Sequence, residues 1–277
     1  MADRKRADVA LVEQGLCPSR EKAQAAIMAG LAYIGERKLL KASEPVPEGA
    51  ALTLRGKSNP YVGRGGLKLE KAVRVFGAEL AGKVCMDIGC ATGGFTDVCL
   101  KNGAAHVYAI DVGYGQFDWG LRQDERVTLM ERTNARSLTP EMVPLHPTVT
   151  VMDVSFISIK LILPVAAEIM GSEGVFYTLI KPQFEAGRGK VGKNGVVRDG
   201  KVHEAVLADI ADFAEHIGWR MCALDFSPIT GPKGNIEFLA EIRCAREGLN
   251  RVGAEDIAAV VRTAHQETAK NALPSAE

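Results

Sequence analysis

Four charged residues stand where they could act on one substrate: Lys68, Asp153, Lys181 and Glu237. Lys68 falls in Gly63-Arg-Gly-Gly-Leu-Lys68-Leu, and Asp153 follows the apolar Val151-Met152. Lys181 ends the run before Pro182, and Glu237 opens the last apolar stretch, after Gly234-Asn-Ile. A lysine can take a proton near neutral pH only if burial or a second ammonium lowers its pKa. Lys68 and Lys181 would supply each other's like charge. Asp153 and Glu237 would pull the other way while orienting the ammonium groups. Each residue alone reads as a surface ion pair. As a set at the ends of strands and helices, they read as a proton-transfer centre with carboxylates to hold it.

A second constellation is Asp87-Ile-Gly89-Cys90-Ala-Thr-Gly93-Gly94-Phe95. It follows an apolar strand and opens a helix, so its glycines let the backbone turn tightly and approach a ligand. The spacing is not Gly-x-Gly-x-x-Gly, which excludes the dinucleotide fingerprint. A carboxylate at Asp87 would repel a pyrophosphate but suits the cationic methionine end of S-adenosylmethionine, directly or through water. Asp111, at the end of the next strand, is placed to take both ribose hydroxyls. Asn134 is a candidate hydrogen-bond partner near the adenine. The expected cofactor contacts are therefore Asp87, Gly89, Cys90, Gly93, Gly94, Phe95, Asp111, Asn134 and Asp153.

These residues need a scaffold, and the pattern from residue 63 onward supplies one. Helix 66–76 leads in. Strands are expected at 84–88, 106–110, 149–152, 174–180, 222–226 and 237–242, alternating with helices at 95–101, 158–170 and 202–217. Alternation of this kind implies a doubly wound, mostly parallel sheet. The tight Gly231-Pro-Lys-Gly234 turn implies a final antiparallel hairpin. The segment from Gln183 to Asp199, with Arg188, Lys190, Lys193 and Arg198, reads as a lid loop over RNA.

Residues 1–59 read as a separate small α+β domain. Residues 4–15 form a first helix ended by Gly15, and Ser19 caps a second that Gly30 stops. Short strands follow at 31–34 and 51–54, with Pro45 and Pro47 keeping the stretch between them as loop. Residues 60–63 read as linker, 64–245 as the larger domain, and 246–277 as a tail, helical in part. Net charge is zero, with 34 basic and 34 acidic residues, which argues against indiscriminate coating of nucleic acid. Residues 1–75 carry 14 basic and 8 acidic side chains, a local +6. A basic end on a neutral chain suits a docking surface for phosphates. Six cysteines occur without a Cys-x-x-Cys pair, so no metal site is expected. No apolar run is long enough to span a membrane, and the charged start lacks the apolar stretch of a secretory signal. A cytoplasmic protein with no membrane partner is expected.

Arg6-Ala-Asp-Val-Ala-Leu-Val-Glu-Gln-Gly15-Leu, Pro18-Ser-Arg20-Glu-Lys-Ala23 and Ile27-Met-Ala-Gly30 resemble the S4 RNA-binding domain. By that resemblance Arg4, Arg6, Arg20 and Lys22 would face RNA phosphates, with Arg64, Arg188 and Lys190 joining them from the larger domain. Ala32-Tyr-Ile-Gly35 departs mildly from the family's valine-rich strand and Asn-Gly turn. The Lys-Asp-Lys-Glu set resembles that of the FtsJ-type ribose 2′-O-methyltransferases. GRGGLKL, DIGCATGGFT, MDVSFIS, IKPQFE and GNIEF, with the S4-like start, resemble the TlyA family over about residues 4–245. That family comprises ribosomal RNA cytidine 2′-O-methyltransferases, historically also called hemolysins. The resemblance implies a Rossmann-like α/β methyltransferase domain that uses S-adenosylmethionine on ribosomal RNA within ribosomal subunits, at cytidine in 16S or 23S RNA or both. It also implies Lys181 as base or hydroxyl-orienting group, with Asp153 positioning it. Lys68 and Glu237 would then hold the 2′-hydroxyl and its sugar.

Three other classes fare worse. An NAD-dependent oxidoreductase needs a pyrophosphate-type glycine motif. An S4-type RNA-binding protein without catalysis would have lost the charged set. A pore-forming hemolysin would need a spanning or long amphipathic apolar segment. The sequence sets no oligomeric state.

Overall fold

The computed structural model describes residues 4–28, 30–55, 59–192 and 194–272, with the side chains of Arg188, Asn271 and Ala272 left out. The chain divides into two compact units, up to Pro60 and from Tyr61 onward.

The first unit begins with strand β1 (Arg4–Arg6), helices α1 (Ala7–Glu13) and α2 (Arg20–Met28), then strands β2 (Ala32–Ile34), β3 (Arg37–Lys38), β4 (Pro45–Pro47) and β5 (Leu52–Leu54). Ala7, Leu11, Ala23, Ile27, Leu39, Val46 and Leu52 form its core. Ser19 Oγ accepts from Lys22 N at 3.3 Å and caps α2, as the sequence predicts. The prolines do not keep 45–47 as loop. That segment pairs antiparallel with β1 in a two-stranded ribbon, Lys5 opposite Val46. Proline is tolerated in an edge strand where its missing N–H faces away from the ladder. Likewise residues 4–6 are strand, and α1 starts only at Ala7.

The second unit opens with helix α3 (Gly66–Phe76), strand β6 (Val84–Ile88), helix α4 (Gly94–Lys101), strand β7 (His106–Ile110), helix α5 (Trp119–Arg122) and strand β8 (Val127–Met130). It continues through β9 (Val149–Met152), α6 (Leu163–Met170), β10 (Val175–Ile180), α7 (Pro182–Glu185), α8 (Gly200–His216), β11 (Trp219–Phe226), β12 (Phe238–Cys244) and α9 (Ala254–Ala272). Among the described residues these strands form one seven-stranded sheet in the order β11-β12-β10-β9-β6-β7-β8. The β6, β7, β8, β9 and β10 ladders are parallel, and β12 runs antiparallel to β10 and β11. This is the Rossmann-like fold. Helices cover both faces, so β9 and β10 are buried along their length and read as near-continuous apolar runs. β8 escaped the sequence reading because its exposed Thr128 breaks the apolar run.

The chain runs β6-β7-β8 outward, then returns to β9 on the other side of β6. That reversal is where such sheets bind ligands, at the carboxyl ends of the strands. Residues 61–63 are not free linker. Tyr61 donates to Glu70 at 3.0 Å, and Val62 N donates to Asp97 Oδ2 at 3.0 Å. Helix α9 and the segment before it are also built in, since Val252, Ile257, Val261 and Ala264 join the core that α8 lines. His203 on α8 meets His265 on α9, Nδ1 to Nε2, at 3.0 Å.

Candidate active site

Strand order explains how four residues distant in sequence meet. Asp153 follows β9 and Lys181 follows β10, at neighbouring strand ends. Ile180 pairs with Phe238 across the antiparallel β10–β12 ladder, so Glu237, one residue before β12, lands beside Lys181. Lys68 enters from α3, where it is buried on the helix's inner side.

The side chains then make one connected set. Lys68 Nζ donates to Asp153 Oδ2 at 3.1 Å and to Glu237 Oε2 at 2.7 Å. Lys181 Nζ ion-pairs with Asp153 Oδ1 at 2.5 Å and donates to Ser155 Oγ at 3.0 Å. Glu237 is 1% exposed and both lysines 8%, so the charges sit in a poorly solvated place. Burial alone would lower the Lys68 pKa, but the charges of Asp153 and Glu237 outweigh it and raise it. Burial likewise works to raise Asp153, and Lys68 and Lys181 overcome it and hold the carboxyl below its ordinary value. Gly231 makes room for this set: a Cβ there would lie 2.6 Å from Glu237 Oε1.

Lys68, Asp153 and Lys181 line a cleft of about 290 Å³ with Arg64, Gly89, Cys90, Thr92, Gly94 and Phe95, and Glu237 lies behind them. Ile229, Thr230, Gly231 and Pro232 close its far side. Sequence reasoning used the Gly231 turn only as a hairpin signal. Ser155 was also missed as a partner of Lys181, although it lies within the MDVSF motif.

The glycine-rich turn behaves as its composition demands. Gly89 has φ +84°, and a Cβ there would lie 2.7 Å from the Asp153 carbonyl oxygen. Gly93 has φ +92°, and a Cβ there would strike Leu121 at 2.6 Å. Asp87 does not line the cleft. It is fully buried beneath the turn, where Thr96 Oγ donates to its Oδ2 at 2.6 Å and its Oδ1 has no partner among the described residues. Burial pushes its carboxyl up to about 7, against the Thr96 hydrogen bonds. Direct contact with a cofactor's methionine end is therefore not its geometry, and contact relayed through the turn or a water is what remains. Asp111 accepts from Gly113 N at 2.7 Å and from Ala91 N at 2.8 Å. It lines a small gap of about 10 Å³ with Cys90, Gly113, Tyr114 and Glu131. Asn134 is exposed and caps a short 3-10 turn, its Oδ1 accepting from Arg136 N at 3.1 Å. The sequence set splits accordingly: Gly89, Cys90, Gly94, Phe95 and Asp153 line the cleft, and Asp111 and Asn134 do not.

Of the expected RNA contacts, Arg4 and Lys22 are exposed on the first unit. Arg6 and Arg20 are organised by Asp8, which is fully buried. Asp8 Oδ1 accepts from Arg6 Nε at 2.9 Å, and Oδ2 accepts from Arg20 at 3.2 Å and Gln24 at 2.9 Å. The Arg6 hydrogen bond, with those of Gln24 and Arg20, holds the Asp8 carboxyl well below the usual range despite burial. Arg64 lines the cleft, and Lys190 is exposed. Arg188 is placed by its backbone alone, and Lys193 lies outside the described residues. The described cysteines are free thiols, and no metal-binding cluster occurs among the described residues.

A partnerless carboxylate oxygen beneath a glycine turn, an acid after the next strand and an open cleft beside them fit S-adenosylmethionine. The fold and this site together define an S-adenosylmethionine-dependent methyltransferase. The family model for FtsJ-like methyltransferases matches residues 61–243, and that for the S4 domain matches residues 5–52. The chain belongs to the FtsJ-like methyltransferase family and carries an S4 domain before its catalytic unit. It is 49% identical, over 95% of both chains, to Bacillus subtilis YqxC, provisionally named an rRNA methyltransferase. It is 42% identical to the 16S/23S rRNA (cytidine-2′-O)-methyltransferase TlyA of Mycobacterium tuberculosis, over 92% of this chain and 96% of that one. A solved Streptococcus thermophilus structure, provisionally described as a hemolysin, superimposes with TM-score 0.78 at 44% identity, covering 98% of this chain and 99% of that one.

Proposed function

We infer that the chain methylates the ribose 2′-hydroxyl of ribosomal RNA, at cytidine in 16S or 23S RNA or both, acting on ribosomal subunits in the cytoplasm. The observation that carries this reading is the Lys68–Asp153–Lys181 chain, with Glu237 behind it, on the wall of the cleft that the glycine turn shares. The named activity of the M. tuberculosis relative supports ribosomal RNA and cytidine.

S-adenosylmethionine, when bound, supplies a sulfonium methyl open to in-line attack. The attacking 2′-oxygen must shed its proton, and Lys181 Nζ is the group that takes or orients it. Asp153 Oδ1 and Ser155 Oγ hold that nitrogen. Lys68 is the unsuitable base, because two carboxylates keep its proton on. Its role is to hold Asp153 and Glu237 in place and to leave a positive charge beside the sugar.

The nucleobase has a seat. Phe156 is 90% exposed in a left-handed conformation, φ +64°, one residue past Ser155, and its ring lies 5.0 Å from that of Phe184. Bulky residues rarely adopt that conformation, and such strained positions cluster at active sites and ligand clamps. A base lifted from its stack can lie on Phe156 while its ribose reaches Lys181. No helix among the described residues is long and apolar enough to cross a membrane, so nothing there favours a pore.

The reading is tested by incubating the enzyme and cofactor with unmethylated small and large ribosomal subunits separately, then mapping modified nucleotides by mass spectrometry. A 2′-O-methylcytidine in either subunit is the expected result. Base methylation, or ribose methylation of another nucleoside, would replace this reading.

A further inference from the structure

We propose that Glu185 is a positioning residue for the target nucleotide, clamping the loop that carries Ser155 and Phe156 onto the turn that follows Lys181. The proposal rests on the ribose-methylation reading and assigns a task to a residue outside the four-residue charged set.

Glu185 ends α7, four residues after Lys181. Its side chain reaches across to the loop that follows β9. Ser158 Oγ donates to Glu185 Oε2 at 2.5 Å, and Ile159 N donates to Oε1 at 2.9 Å. Ser158 Oγ also accepts from Lys160 N at 3.2 Å, which starts the 3-10 turn at residues 159–161. The loop is thus fixed at both ends. Asp153 N donates to Ile88 O at 3.1 Å on one side, and Glu185 holds residues 158 and 159 on the other. Phe156 lies between these anchors. Its exposed ring gains little from burial and makes a tilted contact with Phe184. A strained conformation persists only where the surroundings over-determine it. The clamp is what does so here.

The same turn carries Lys181, which already touches the loop through Asp153 and Ser155. Glu185 therefore keeps ring, hydroxyl and amine in one register. Burial raises the Glu185 pKa, while the Ser158 and Ile159 hydrogen bonds oppose that rise. A half-buried carboxylate so placed fits a role in holding backbone rather than in meeting solvent.

The test uses the full chain, with Glu185→Gln, Glu185→Ala, Phe156→Ala and the Glu185→Gln/Phe156→Ala pair. Methyl transfer to ribosomal subunits gives kcat and KM, calorimetry gives cofactor affinity, and thermal melts report folding. In both Glu185 variants, kcat/KM for RNA should fall at least about tenfold, since small misplacements at a reacting centre are costly. Cofactor affinity and melting should stay near the parent's. Glu185→Gln should add little in the Phe156→Ala background, because both act on one element. Fluorine NMR of fluorophenylalanine-labelled protein should show the Phe156 resonance moving in Glu185→Gln. Parent-like activity in both Glu185 variants, full additivity with Phe156→Ala, or parallel loss of cofactor binding and melting would overturn the clamp alone. Absence of any ribose methyl from the parent would overturn the clamp together with the reading it rests on.

Discussion

Lys68 and Lys181 grip opposite oxygens of one carboxylate, Asp153, at 3.1 Å and 2.5 Å. Their difference lies in what else each touches. Lys68 also meets Glu237 at 2.7 Å, whereas Lys181 meets the neutral Ser155 hydroxyl. The two ammonium groups thus share a counter-ion but not an environment, and distinct tasks follow. In the proposed mechanism Lys68 holds the centre together and Lys181 takes or orients the proton that must move.

Lys68→Met should show the structural side of that division. Breaking a buried ion pair from one side leaves charge uncompensated and costs roughly 3–5 kcal/mol. Glu237, 1% exposed, would lose its Lys68 ion pair. Urea unfolding should register the loss, and methyl transfer should drop with it. The double change Lys68→Met/Glu237→Gln should recover much of the stability but not the activity. An unchanged midpoint in the single variant would contradict the account of Lys68.

The relayed contact proposed for Asp87 would tie cofactor binding to pH. Burial pushes the Asp87 carboxyl up to about 7 in the folded chain, against an ordinary 3.8. Between those values the folded chain keeps a proton that the unfolded chain has lost. Stability from this group therefore falls as pH rises from about 4 to about 7, then levels off. Asp87→Asn should flatten that slope and raise the melting temperature at pH 8. Cofactor affinity should fall at pH 8 and less at pH 6, because the charge that Asp87 relays through the turn or a water is removed. Calorimetry at the two pH values, with melts alongside, checks both. A variant with parent-like affinity at pH 8 would remove Asp87 from cofactor recognition.

Much of this was legible in the sequence, for identifiable reasons. The central strands are apolar throughout because both faces of the sheet are covered, and the residue that ends each apolar run marks the site. Asp153 and Lys181 could be found that way. Glu237 could be placed because a tight glycine-proline turn signals an antiparallel last strand. What could not be read was depth. Asp87 lies within the last residues of β6 and Asp111 just after β7, and one is sealed beneath the turn while the other is bound by Gly113 and Ala91 backbone amides. The Pro45–Pro47 strand was hidden because proline propensity outweighs a ribbon with one inward residue, Val46. Glu185 and Asn235, which holds Val197 N and Gly195 O, were hidden because their partners are remote in sequence.

The S4 unit should contribute affinity through phosphate contacts. Arg6 and Arg20 remain about half exposed while Asp8 aligns them. Arg6→Ala and Arg20→Ala should each weaken binding to ribosomal RNA and lower the slope of log affinity against log salt by about 0.7, one released counterion apiece. Filter binding across a salt series measures this. Parent-like slopes in both would show that these guanidiniums face no phosphate.

The most direct test of the whole account compares the parent with Lys181→Ala. Tritiated methyl transfer to unmethylated ribosomal subunits is followed by alkaline hydrolysis, which needs a free 2′-hydroxyl. The parent should leave label in alkali-resistant dinucleotides. Lys181→Ala should transfer essentially none while binding S-adenosylmethionine with near-parent affinity. Alkali-labile label from the parent, or sustained ribose methylation by the variant, would contradict the assignment of Lys181 as the group that takes or orients the hydroxyl proton.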